Sequence, residues 1–476
     1  MNENMDCCGD FEENKYVSDK KFAVENPARM CQPMGALQAI MGLKNAMPLI
    51  HGSQGCATYM RFQLIRHFRE PIEVSSSALN EKTVIYGGEN NLLNALKNVS
   101  EKQDPEIICI MSSCLTETIG DDIEGIISKF EDANIGMKLP ELVSVSTPSF
   151  SGSHIEGYDK AVFELVRHLG RPNVPNNKIN LIMGNLSPGD VSEVKKLMED
   201  LNVSSIILTD TSLNLDAPLE EDTLDLHKYG TTIKEIEDTP NSKATISLSK
   251  HVDSAGKFLE KNFDVKCFSE NLPVGIKNTD KFVKNICEAM NIEVPKKVER
   301  DRGRLCDVLV DAHSYNYRKK VAIFGDPDMV IGIANFVSEM GMLPEVLCIG
   351  MKSERFLDDV KKLSKEINYN PIILEDSDLF DLENVLDDHK VDILFGNAYG
   401  ASIADKNNIP LYRVGFPIFD RIGAQRISLL GYTGGIKFVD EVTNMIIDYY
   451  YDFEGYKLDE EEEIIFEDNP IKEKNV

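Results

Sequence analysis

Short apolar runs alternate with amphipathic ones along nearly the whole chain, and this alternation restricts the fold more than any other feature. The runs EIICIM (106–111), LVSVS (142–146), INLIMG (179–184), SSIILT (204–209), ATISL (244–248), KVAIFG (320–325), PEVLCI (344–349), PIIL (371–374) and DILFG (392–396) are short and mostly apolar. A strand apolar on both faces has to be covered on both, which is the condition of a parallel sheet flanked by helices. Between them, DVSEVKKLMEDL (190–201), TDKFVKNICEAM (279–290), MVIGIANFVSEMG (329–341) and SERFLDDVKKLSKEI (353–367) carry apolar residues at helical spacing. Strand and helix in this order predict an α/β fold with parallel sheets.

At 476 residues the chain exceeds what one core supports. The pattern resets at the Pro/Asn-rich RPNVPNNK (171–178), and again after the charged helical stretch VPKKVERDRGRLCDVLVDAHSYNYRK (294–319). We expect an N-terminal arm (1–30), three α/β domains (31–175, 176–318 and 319–452) and a solvated acidic tail (453–476).

The balance of 51 basic against 79 acidic residues, a net charge of −28, argues against nucleic acid or an anionic membrane as partner, because both need a basic face. No run approaches the ~20 apolar residues of a membrane span. The start, MNENMDCCGDFEENKYVSDKK, is polar, so a cytoplasmic protein is expected. Ten cysteines are too few for a disulfide scaffold of this length.

Several familiar chemistries find no motif. KVAIFGDPD ends a strand but lacks G-x-G-x-x-G, and there is no P-loop, nucleophile elbow or H-E-x-x-H. His67, in RHFRE, reads as a surface or interface residue, and His154 and His313 show no local partner pattern. Asp121-Asp122 could serve acid–base work, although at a helix start Asp more often caps.

The cysteines divide into two groups. Cys109, Cys267, Cys287, Cys306 and Cys348 sit in apolar-patterned segments and read as core fillers; Cys7-Cys8 lies in the polar start. Cys31, Cys56 and Cys114 fall instead at loop-to-helix junctions, where ligands collect in parallel sheets and where a helix start favours thiolate. Their separations of 25 and 58 residues match no C-x-x-C pattern. A closed zinc site wants four ligands, usually with a close pair. Three scattered thiolates suit an iron–sulfur cluster better, completed from elsewhere or from a second subunit.

The strings CQPMGALQAIMG, MPLIHGSQGC, RHFREP, SSCLTETIGDD, TPSFSGSH and VGFPIFDRIG, with NLSPGD, GTTIKEIEDT and FGDPD, resemble the nitrogenase component 1 family, in order, from about residue 26 to about 450. The resemblance implies three Rossmann-like domains and pairing with a homologous α-type subunit in an α2β2-like heterotetramer. It also implies the nitrogenase iron protein (the reductase) as transient partner. By the same resemblance Cys31, Cys56 and Cys114 match cysteine ligands of an interface iron–sulfur cluster, either [4Fe-4S] or of the [8Fe-7S] type, shared with the partner. Ser149 matches a serine beside it. The glycines around Cys56, Gly52 and Gly55, would then admit the bulky cluster. SSSALNEKTVIYGG and FDRIGAQRISLLGYTG resemble the branch that forms the scaffold on which the iron–molybdenum cofactor is assembled, and that is the function expected here. The cysteine triplet, Ser149 and TETIGDD fit the catalytic β subunit, the alternative reading, whose cluster relays electrons for reduction of dinitrogen.

Overall fold

The computed structural model describes residues 28–219 and 227–450; Cys7, Cys8, nearly all of the expected arm and the acidic tail lie outside them. Thirteen strands form three sheets among the described residues, and every strand pair is parallel. The first sheet takes β1 (Ala46–His51), β2 (Ser75–Ser76), β3 (Ile107–Ser112) and β4 (Glu141–Val145) in the order β2-β1-β3-β4. The second takes β5 (Ile179–Ile182), β6 (Ser205–Leu208), β7 (Ala244–Ser247) and β8 (Cys267–Ser269) in the order β6-β5-β7-β8. The third takes β9 (Lys320–Gly325), β10 (Leu343–Ile349), β11 (Ile372–Leu374), β12 (Ile393–Gly396) and β13 (Leu411–Arg413) in the order β11-β10-β9-β12-β13.

Each order reverses direction once. The switch falls between β1 and β3, between β5 and β7, and between β9 and β12, and a crevice opens there at the carboxyl ends of the strands. These three Rossmann-like sheets are the α/β architecture that the alternation predicts. β1 and β3 are buried along their whole lengths, as expected for strands covered on both faces.

Four strands escape the sequence reading. β1 contains Pro48, which cannot donate to a ladder, yet Pro48 lies opposite Cys109 in the middle of the sheet. β2, β8 and β13 are two or three residues long, too short for any periodicity to register. The charged stretch after residue 294 is the 21-residue helix Lys296–Asn316. It is fixed by Leu305, fully buried, and by a buried Asn316–Thr443 side-chain hydrogen bond to the last described helix.

Candidate functional site

The first switch crevice receives the loops that follow β1 and β3. Cys56 is the third residue of the helix Gln54–Phe68 after β1, and Cys114 is the first residue of the helix Cys114–Ile119 after β3. Both are exposed. Cys31 precedes β1 and reaches the same edge by another route. It is the N-cap residue of the helix Gln32–Met41, and it pairs antiparallel with Ser153, in the loop that follows β4.

The loops are braced locally. Ser113 and Thr116 form a capping box around the Cys114 turn, and the Thr116 hydroxyl donates to the His51 carbonyl at 3.1 Å, tying the ends of β3 and β1. A Cβ at Gly52 would lie 2.7 Å from Ser113 Oγ, so this glycine lets the Cys56 and Cys114 loops touch. The contact with Ser113 is by itself sufficient reason for a glycine at this position. At Gly55 a Cβ would meet only Ser53 Oγ, at 3.7 Å.

Ser149, in the loop after β4, spans two of the cysteine elements. Its backbone N–H donates to Cys114 Sγ at 3.2 Å, and its hydroxyl oxygen accepts from the Gln32 N–H at 3.3 Å. The Ser53 hydroxyl donates to Cys56 Sγ at 3.7 Å. Behind them, the Glu117 carboxylate accepts from Ser112 Oγ at 2.5 Å and from Ser146 Oγ at 2.6 Å, which joins the ends of β3 and β4.

Burial raises the Cys31 thiol above its usual range, and negative charge on Cys56 and Cys114 raises it further. The backbone amides of the helix start, Met34 foremost, do pull it down, as the sequence suggests, but burial outweighs them. Cys31 thus feels the charge of both Cys56 and Cys114. Among the described residues no three His, Cys, Asp or Glu side chains are grouped to hold a single metal ion. Two of the three sulfurs are exposed and the third is half-buried, without the close grouping of a mononuclear site, whose ligands lie within about 2.3 Å of one centre.

Other sequence candidates fall elsewhere. Asp122 caps the helix Ile123–Ala133, as expected. Asp121 does not: it accepts from the Gly88 N–H and faces His51 Nε2 at 3.1 Å. His51, which the sequence reading passed over, is buried, and Asp121 and Ser77 hold its two ring nitrogens. His67 is no surface residue: its Nδ1 accepts from the Ile418 N–H at 2.8 Å inside the chain. Cys109, Cys287 and Cys348 are buried fillers, but Cys267 and Cys306 are only partly buried.

Three parallel α/β sheets, each with one topological switch point, and three cysteines on the loops around the first of them define a Rossmann-like α/β protein of three repeated units. The sequence profile of the nitrogenase component 1 type oxidoreductases matches residues 31–447. The chain is 38% identical over 459 residues to the nitrogenase molybdenum-iron protein beta chain of Methanococcus maripaludis, covering 94% of this chain and 99% of that one. To the corresponding beta chain of Clostridium pasteurianum it is 38% identical over 441 residues, covering 91% and 95%. Its structure matches a chain solved as nitrogenase Cp1 at pH 6.5 with a TM-score of 0.88 at 37% identity, covering 91% of this chain and 95% of that chain. The chain belongs to the nitrogenase component 1 family, as a subunit of the beta type.

Proposed function

We propose that this chain is the catalytic β subunit of a dinitrogenase, and that Cys31, Cys56 and Cys114 hold its share of an iron–sulfur cluster at the boundary with a homologous α-type subunit. The observation that carries the reading is the similarity to named beta chains over 94% of the sequence, together with three cysteines on the loops at one sheet edge. It favours the relay role over the scaffold role that the SSSALNEKTVIYGG and FDRIGAQRISLLGYTG strings suggest.

The residues present fit such a group. Three thiols are available, without a carboxylate or imidazole among them, and sulfur donors suit iron–sulfur clusters. When bound, the cluster supplies one-electron transfer between the reductase and the cofactor of the partner chain. This chain's residues fix the ligands before binding. Cys114 is held by the capping box and the Ser149 amide, Cys56 by the contact of Gly52 with Ser113, and Cys31 by its pairing with Ser153. An amide N–H on sulfur stabilises thiolate charge and tunes the potential of a bound cluster. The exposed Tyr59, Phe62, Ile85, Tyr86 and Phe150 surround these loops with apolar surface for the α-type partner to cover. No described helix is long and apolar enough to cross a membrane, and we place the assembly in the cytoplasm.

The test is purification under strict exclusion of oxygen with the partner subunit. Reduction of dinitrogen or acetylene by the complex, given reductase and ATP, is the expected result. A complex without turnover that instead activates cofactor-free dinitrogenase would establish the scaffold role.

A further inference from the structure

Three carboxyl-edge loops meet around the Gly-Asp-Pro-Asp turn that follows β9, and one contact there reaches Cys31. Met30 donates its backbone N–H to His154 Nδ1 at 3.2 Å, and the His154 N–H donates back to the Met30 carbonyl at 3.1 Å. On the far side of the ring, Nε2 faces Asp326 Oδ1 at 3.0 Å, with the imidazole only 3% exposed. Burial opposes a charge on this ring, while the Asp326 and Glu156 carboxylates favour one. The carboxylates prevail and raise the ring's pKa, but the Met30 N–H directed at Nδ1 makes that nitrogen an acceptor in this arrangement. The single ring proton therefore sits on Nε2 and points at Asp326.

Asp326 breaks a local rule to make this contact. It occupies the N-cap position of the helix Pro327–Glu339, where Asp is favoured for capping, yet its side chain makes no capping bond. The carboxylate is turned instead to His154 and to Asn185, whose amide donates at 3.4 Å. Two residues on, Asp328 makes the parallel contact to the second sheet, facing His251 Nδ1 at 2.9 Å. No such account attaches Asp328 to a cysteine.

We propose that Asp326 is a positioning residue for Cys31, acting through His154. The carboxylate fixes the tautomer and the orientation of the ring, the ring fixes the Met30 amide, and the Met30–Cys31 peptide sets where the Cys31 thiol stands. The third sheet thereby controls a thiol displayed by the first. The consequence for a bound cluster rests on the ligand reading above; the mechanical linkage does not.

Hydrogen–deuterium exchange on the anaerobically purified complex, with electron paramagnetic resonance of its oxidised cluster, tests this. Asp326→Ala removes the carboxylate at no capping cost. His154→Asn keeps an acceptor for Met30 but does not reach Asp326. Both should exchange about tenfold faster across residues 29–34, leave the Cys56 and Cys114 loops unchanged, and alter the resonance signal without loss of iron. Asp328→Asn should leave residues 29–34 as in the parent. Unchanged exchange in both variants would overturn the proposal, as would an equal rise in Asp328→Asn. Where Cys31→Ala lowers iron, faster exchange with an unaltered signal would also overturn it, since a positioning residue must move what it positions. Cys31→Ala tests the ligand reading separately: full retention of iron there removes that reading while the exchange results still judge the linkage.

Discussion

Ser149 and Cys114 are joined by a backbone N–H directed at the sulfur, 3.2 Å away, while the Ser149 hydroxyl serves the helix that Cys31 begins. One loop residue thus performs two separable tasks, because the amide belongs to the backbone and the hydroxyl to the side chain.

Ser149→Ala should keep the amide on Cys114 and lose only the acceptor for the Gln32 N–H. The expected cost is about 1 kcal/mol of stability, typical of a lost acceptor at a helix start. Iron content should be unchanged. Denaturant titration and iron analysis check both halves; loss of iron in this variant would make the hydroxyl itself a ligand.

Gly35 and Gly157 mark where the helix bearing Cys31 crosses the helix His154–Leu169. A Cβ at Gly35 would stand 1.7 Å from the His154 carbonyl oxygen, and one at Gly157 would stand 1.9 Å from the Gln32 carbonyl oxygen. Backbone lies on both sides, so no side chain can swing away. Gly35→Ala and Gly157→Ala should each cost about 3 kcal/mol or more, at the top of the overpacking range. Each should also lower iron retention, because the crossing carries Cys31. Gly303→Ala, with nothing near its Cβ, is the control and should be neutral or stabilising.

The fold was legible because parallel strands covered on both faces leave continuous apolar runs, and β3 and β9 show this directly. β1 was hidden by Pro48, and the shortest strands by their length. At the site, all three cysteines could be placed at loop-to-helix junctions from local pattern, Cys114 behind a legible strand and Cys56 behind a glycine turn. What the pattern could not show is how Cys31 reaches the switch point: it does so through a pairing with Ser153, and nothing local encodes a partner 122 residues away. Asp326 and His154 were missed for the same reason, as was the Asp121–His51 contact. A signal did exist in the Gly-Asp-Pro-Asp turn, where an Asp before Pro at a helix start reads as an ordinary cap. The structure shows it spent elsewhere.

Cys109 and Cys56 should respond oppositely to removal of sulfur. Cys109 is fully buried in β3, and burial pushes its thiol up to about 12, so it stays protonated and inert. Cys109→Ala should cost about 1–2 kcal/mol through the small cavity it leaves, with iron unchanged. Cys56→Ala, at an exposed position, should leave stability of the cluster-free chain within about 0.5 kcal/mol while lowering bound iron. Paired measurements of melting and iron content separate filler from ligand, and retention of all iron by Cys56→Ala would refute its assignment.

His67 gives the chain a defined acid sensitivity. Burial lowers its pKa from the ordinary 6.5 to about 4, with the neighbouring Arg69 charge acting in the same direction against a smaller opposing effect from the Ile418 backbone. The sign follows from the protons bound in each state. Above pH 6.5 the ring is neutral folded and unfolded, and the contribution to stability is complete. As pH falls from 6.5 towards 4 the unfolded chain takes up a proton that the folded ring refuses, so stability is lost. Between pH 7 and pH 5 this single group should remove about 2 kcal/mol, at 1.36 kcal/mol per pKa unit. His67→Asn retains an acceptor for the Ile418 N–H, which lies 2.8 Å from Nδ1, but does not titrate. Its stability at pH 7 should be lower, from the volume removed beside Phe68 and Phe416, whose rings flank the imidazole. Its loss between pH 7 and pH 5 should be smaller than the parent's by that same ~2 kcal/mol. Denaturant midpoints at the two pH values decide the matter, and parallel losses in parent and variant would show that the ring titrates alike in the folded and unfolded chain, with no depressed pKa.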